Sequence, residues 1–138
     1  MNDNADKRVI MVVDDEENIR TLIRRALQAS ETTVVEAATA EQAIEYLKSH
    51  HVDIAITDIM LPRMKGTDLF YALRNVDPFI QVIMITGYPT WNATTEMLAV
   101  GVCDFLIKPF DLDDLRSVID NTYLRIHRWK LLKRELKE

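Results

Sequence analysis

Five polar residues, each at the end of a short apolar run, give this 138-residue chain its chemistry. Asp14 and Asp15 follow Val9–Val13, and Asp58 follows Ile54–Ile56 after one threonine. Thr86 follows Val82–Ile85, and Lys108 follows Phe105–Ile107. Taken singly, each has a plain structural role. Acids ahead of a helix act as caps and dipole partners, Asp58 suits a turn, threonine belongs in strands and lysine in solvent. Taken together they do not look accidental, because four separate apolar runs close in the same way. If those runs are parallel strands of one sheet, their carboxyl ends share an edge, and so do three carboxylates, a hydroxyl and an ammonium. Carboxylates held so close repel, which raises their pKa values or calls for a cation among them. Magnesium suits oxygen ligands of this kind, whereas an all-oxygen set disfavours zinc and copper. A carboxylate beside such a metal can attack a phosphoryl group and form an aspartyl phosphate while lysine neutralises the equatorial oxygens. A hydroxyl in the position of Thr86 can then donate to a phosphoryl oxygen and draw its loop inward.

The elements that must position these groups follow from periodicity. Runs apolar at almost every position mark strands buried on both faces, the habit of parallel sheets covered by helices, and Thr33–Ala37 is a weaker fifth candidate. Between them, apolar residues step by three and four: Ile19, Leu22, Ile23, Ala26 and Leu27, then Ala40, Ala43, Ile44 and Leu47, then Leu69, Ala72 and Leu73. Strand and helix alternate five times, which predicts an α/β domain with a doubly wound parallel sheet. Gly101 sits where a helix near residues 90–100 needs a left-handed end, Pro62 and Gly66 break the chain after the third run, and Asp111 offers an N-cap for the last helix.

Composition narrows the function. The length suits one domain. The three glycines, Gly66, Gly87 and Gly101, are too dispersed for a phosphate-cradling loop, and a single cysteine with three histidines gives neither a disulfide nor a zinc spacing. The first seven residues lack the basic and apolar stretches of a secretory signal, and residues 1–6 are expected to be disordered; a cytoplasmic location without membrane attachment fits. The net charge of −5 is uneven: residues 121–138 carry six basic and two acidic groups, leaving a net −9 for residues 1–120. An acidic body of that kind is not expected to bind nucleic acid.

With these residues in view, the chain resembles the receiver domain of two-component response regulators over about residues 7–120. The segments that carry the resemblance are VVDDEE, TDIMLPRMKG, MITGY and FLIKPF. It implies a five-stranded parallel sheet of order 2-1-3-4-5 flanked by five helices. It also implies a phosphoryl-accepting switch rather than an enzyme, served by a sensor histidine kinase or a histidine phosphotransfer protein. On that reading Asp58 accepts the phosphoryl group. Mg²⁺ is held by Asp15, Asp58 and the backbone carbonyl of Met60, with Asp14 acting through water. Lys108 grips the phosphoryl group, and its bond to Pro109 is cis in most relatives. Thr86 and Phe105 form the switch, although Phe105 also reads simply as a core aromatic. Met60 and Tyr88 stand two residues beyond the acceptor and the switch threonine; neither is a good base for orienting water, so slow self-dephosphorylation is expected, unless their side chains face solvent and tune nothing.

The last helix has spacing of its own. From Leu112 it can run past Leu136, with Leu115, Ile119, Thr122, Ile126, Trp129, Lys133 and Leu136 in a heptad seam. The first members are expected to pack on the sheet and to leave Ile126, Trp129 and Leu136 without an intramolecular core. Residues 121–138 then form a linker or a dimerisation helix, leading to an output domain if the chain continues. A frayed tail is the plain alternative. Two other functions remain open at this point, an Mg-dependent phosphohydrolase with an aspartyl nucleophile and a non-phosphorylated binding scaffold. The hydrolase would want an acid where Met60 stands, and the scaffold should lack one of Asp15, Asp58, Thr86 or Lys108.

Overall fold

The computed structural model describes residues 7–136, so the expectation for residues 1–6 lies outside the described residues. The elements run in the order β1 (Arg8–Val13), α1 (Glu17–Leu27), β2 (Thr32–Ala37), α2 (Ala40–Ser49), β3 (Ile54–Asp58), β4 (Met60–Leu61), β5 (Met64–Lys65), α3 (Gly66–Val76), β6 (Gln81–Thr86), α4 (Trp91–Val100), β7 (Asp104–Ile107) and α5 (Leu112–Glu135). Local chemistry sets several boundaries. Thr39 and Thr90 accept from Gln42 N and Ala93 N at 3.1 Å, capping α2 and α4, and Asp111 accepts from Asp113 N at 2.8 Å at the start of α5. Gly101 ends α4 at φ 113°, a left-handed value that a β-carbon disfavours.

Five strands pair in parallel in the order β2-β1-β3-β6-β7. Counting only the strands of this sheet, that is 2-1-3-4-5, as the family resemblance implies. Alternate residues of the central strands face opposite layers. Met11, Val13, Ala55, Val82 and Met84 pack with α2, α3 and Met97 of α4, while Ile10, Val12, Ile54, Ile56, Ile83 and Ile85 pack with α1 and α5. Two buried faces explain why these strands read as unbroken apolar runs.

The small antiparallel pair β4–β5 was not expected from the sequence. Its turn is Pro62–Arg63, with Arg63 at φ 71°, a conformation more usual for glycine or asparagine. The pair folds the chain back so that Gly66 N donates to Ile59 O at 2.9 Å. A β-carbon on Gly66 would stand 2.9 Å from Ile59 Cα, so the start of α3 can approach the end of β3 this closely only with glycine there.

Helix α5 ends at Glu135 with Leu136 as its cap, whereas the sequence spacing suggests a course past Leu136. Leu115, Ile119 and Thr122 are buried on the sheet, as expected. Ile126 departs from expectation: it is half-buried and packs against the α1–α5 layer, because the helix stays beside the sheet for one more turn than the seam suggests. Trp129 and Leu136 are exposed. Tyr123 pins this stretch by donating to Asp53 Oδ2 at 2.9 Å, beneath an Arg8 guanidinium 4.4 Å from its ring centre. Among the described residues, no helix is long and apolar enough to cross a membrane.

Candidate functional site

The parallel register brings the ends of β1, β3, β6 and β7 to one edge, and the polar residues noted in the sequence meet there. Asp14 follows β1 directly and is 2% exposed. Its Oδ1 accepts from Glu16 N at 2.9 Å, which turns the chain into α1, and its carbonyl accepts from Arg20 Nη1 at 2.8 Å. Asp58 closes β3, half-buried, and its Oδ1 accepts from Met60 N at 2.9 Å. Lys108 reaches across from the end of β7, donating to Asp58 Oδ2 at 2.8 Å and to Asp14 Oδ2 at 3.2 Å. Its backbone N–H donates to Thr86 O at 2.7 Å, and the Lys108–Pro109 peptide is cis.

The electrostatics follow from this packing. Burial pushes the Asp14 carboxyl above the ordinary carboxylate value, outweighing the hydrogen bond from Glu16 and the attraction of Lys108, and the Asp58 charge adds to the rise. Burial alone would lower the Lys108 ammonium, but its hydrogen bond to Asp58 and the charge and hydrogen bond of Asp14 together hold it above the ordinary lysine value. The repulsion anticipated from the sequence is therefore met here by the lysine itself.

Asp15 follows Asp14 at the same strand end. It is exposed, and among the described residues no three acidic, histidine or cysteine side chains come together as a metal-holding group. Lys108 bridges Asp14 and Asp58. The donors available at this edge, carboxylates and backbone carbonyls, nonetheless have the hard-oxygen chemistry that magnesium requires, and a buried carboxylate with a raised pKa is one that a cation would stabilise.

Thr86 is 1% exposed and its hydroxyl oxygen accepts from Tyr88 N at 3.1 Å, so its side chain is tied to the loop that follows it. Phe105 is half-buried against the α2–α4 layer. The side chains of Met60 and Tyr88 are 69% and 86% exposed, while their backbone amides donate to Asp58 and Thr86. Two contributors escaped the sequence reading. Arg20 was invisible because its partner is a backbone carbonyl. Glu16, with Oε1 3.8 Å from Lys108 Nζ, was seen only as part of an acidic run.

The response regulator receiver domain family model matches residues 10–120. The regulatory protein AtoC of Escherichia coli is 34% identical over 112 residues, covering 80% of this chain and 24% of that protein. The DNA-binding transcriptional regulator NtrC of the same organism is 30% identical over 112 residues, with 81% and 24% covered. The crystal structure of a CheY-like response regulator receiver domain protein from Methanospirillum hungatei superimposes with a TM-score of 0.83 at 27% identity, covering 88% of this chain and 98% of that one. The chain thus spans about a quarter of the length of the curated relatives it matches.

Proposed function

The chain belongs to the response regulator receiver domain family, and from that premise we propose that Asp58 takes a phosphoryl group from a sensor histidine kinase or histidine phosphotransfer protein. The observation that carries the reading is the pair of hydrogen bonds from Lys108 to Asp58 and Asp14, which places a cation at the acceptor carboxylate. An Asp58 oxygen attacks the phosphorus of the phosphohistidine. The new P–O bond forms as the P–N bond breaks, and the imidazole nitrogen leaves with the electron pair. Lys108 moves from the carboxylate to the equatorial phosphoryl oxygens, where its charge counts most. Mg²⁺ would be held by Asp15, Asp58 and the backbone carbonyl of Met60, with Asp14 acting through water, and would supply further neutralisation of phosphoryl charge.

The switch follows from the same geometry. Once phosphorylated, the site offers an anionic oxygen to the Thr86 hydroxyl, which exchanges the Tyr88 amide for it. Phe105 then turns into the space vacated. Changed affinity for a partner is the output. Residues 121–138 serve as the linker that carries this change to an output domain or a second copy, using Trp129 and Leu136, with Ile126 anchoring the root. The protein is cytoplasmic on this reading, with neither nucleic acid nor membrane as a direct partner. Light scattering of the full chain against one ending at Asn121 tests the dimer, and the same number of protomers in both would remove it.

Incubation with acetyl phosphate and Mg²⁺, read by intact mass, tests the central reading. One phosphoryl adduct is expected, lost in Asp58→Ala. No adduct would leave a binding scaffold, and rapid turnover of added phosphoesters would make the protein a hydrolase.

A further inference from the structure

Asp15 is exposed, so the place of its carboxylate is set by the two peptide groups on either side of it. Both are pinned. The Asp15–Glu16 peptide is held through Glu16 N, which donates to Asp14 Oδ1 at 2.9 Å. The Asp14–Asp15 peptide is held through its oxygen, which accepts from Arg20 Nη1 at 2.8 Å. Because a peptide group is planar, a bond to its oxygen restrains the whole unit, including the nitrogen that begins Asp15. Just upstream, Asp14 N donates to Ala37 O at 3.1 Å and continues the pairing of β1 with β2. Beyond that bond the chain leaves the sheet, and the next main-chain oxygen is held by a side chain instead.

Arg20 has anchors of its own. Its backbone N–H donates to Glu16 O at 3.2 Å in the first turn of α1, and its Nε pairs with Glu36 Oε1 of β2 at 3.1 Å. Arg24, one turn later, pairs with the other oxygen of Glu36 at 2.7 Å. The two arginines share one acid but differ in depth: the Arg24 side chain is 40% exposed and the Arg20 side chain 14%. Taking a guanidinium out of water is costly unless its donors are used. Pairing with Glu36 does not require that depth, as Arg24 shows. What the deeper position adds is a charged donor at the Asp14 carbonyl, a bond of the stronger, charge-assisted kind.

We propose that Arg20 is a positioning residue for the divalent cation: by orienting the Asp14–Asp15 peptide it presents the Asp15 carboxylate to the metal that this edge would hold. The inference rests on the phosphoacceptor reading and adds to it a residue that touches neither phosphoryl group nor metal. The charge of Arg20 works against that task. A guanidinium near a cation site repels the cation, so on electrostatic grounds alone its removal would tighten metal binding. Positioning predicts the reverse, and the sign of the change tells the two apart.

Mn²⁺ shares the preference of Mg²⁺ for carboxylate and carbonyl oxygen, and the free ion gives a paramagnetic resonance signal that falls on binding, so its affinity can be read on the unphosphorylated chain. Arg20→Met should weaken Mn²⁺ binding by about tenfold or more, the usual loss when a residue that orients a metal ligand is removed. Arg24→Met gives up its bond to the same acid but leaves the carbonyl bond in place, and should stay within about twofold of wild type. Arg20→Lys keeps the charge and most of the stem, so it stands in should Arg20→Met fail to fold. One ammonium cannot serve the carbonyl and Glu36 in the forked geometry of a guanidinium, so its affinity should also fall, by less. Melting temperatures in chelator separate the structural cost of each variant from its effect on the metal. The proposal is overturned if the folded Arg20 variants bind Mn²⁺ as tightly as wild type or tighter, or if Arg24→Met loses as much as Arg20→Met. Acetyl phosphate keeps the two readings apart: a wild-type adduct at Asp58 together with unchanged Mn²⁺ affinity in the Arg20 variants sinks this inference alone. A wild-type chain that takes up neither phosphoryl group nor Mn²⁺ sinks both.

Discussion

Lys108 Nζ and Asp58 Oδ2 lie 2.8 Å apart although fifty positions separate them in the chain. The contact exists because β3 and β7 both flank β6 in parallel, so their carboxyl ends face the same way. It also defines what the lysine is for. Lys108→Ala should slow phosphorylation of Asp58 by acetyl phosphate by about 10²–10³, the usual loss when one charge-stabilising donor is removed. Single-turnover mass spectrometry measures it, and a loss under threefold would mean that the ammonium serves packing only.

The stability of the site should fall with rising pH in two separate windows. Asp14 has a folded-state pKa above its unfolded value of 3.8, so the folded protein binds more protons in that window and stability falls as pH rises through it. Asp14→Asn should therefore raise the melting temperature at pH 7 in Mg²⁺-free buffer, with the gain shrinking toward zero below pH 3.8. Lys108 is raised above 10.5, so its contribution is complete below that pH and is lost as pH climbs through the folded value. Calorimetry of wild type, Asp14→Asn and Lys108→Met across both windows checks the signs.

Gly66→Ala should destabilise the domain by about 1–3 kcal/mol, the range for forcing an extra methyl into a packed site. The clash is with backbone atoms of Ile59, at 2.9 Å and 3.0 Å, which cannot rotate away. Urea unfolding at a constant m-value measures the loss. Phosphorylation should slow too, since Ile59 adjoins the acceptor.

Once formed, the phosphoryl group on Asp58 should survive for many minutes in purified protein with Mg²⁺. Met60 and Tyr88 lie beside the acceptor and the switch hydroxyl, expose their side chains to solvent and offer no base to orient water. Met60→Glu supplies one and should shorten the lifetime by about tenfold or more, toward the usual contribution of a general base. A wild-type lifetime of seconds would show that water is positioned by some other group.

Much of this protein is written locally. Unbroken apolar runs announce strands covered on both faces, three-and-four spacing announces the helices between them, and Thr39, Thr90, Asp111 and Gly101 mark their ends through contacts spanning a few residues. Asp58, Lys108 and Thr86 are legible for the same reason: each breaks an apolar pattern at a strand end, and sheet edges collect such breaks. What tertiary structure decided are contacts with no periodicity to betray them. The β4–β5 turn depends on how closely α3 must approach Ile59. The separation of Asp14 from Asp15 depends on which of two adjacent acids faces inward, and adjacency in sequence treats them alike. The Arg20 bond to the Asp14 carbonyl and the Tyr123 bond to Asp53, which holds Ile126 against the sheet, join side chains to partners whose identity is set only when distant segments pack. Sequence carries the pattern of burial, because burial is the average of many weak contacts; which single polar atom meets which depends on positions to within an ångström, and only the folded chain sets those.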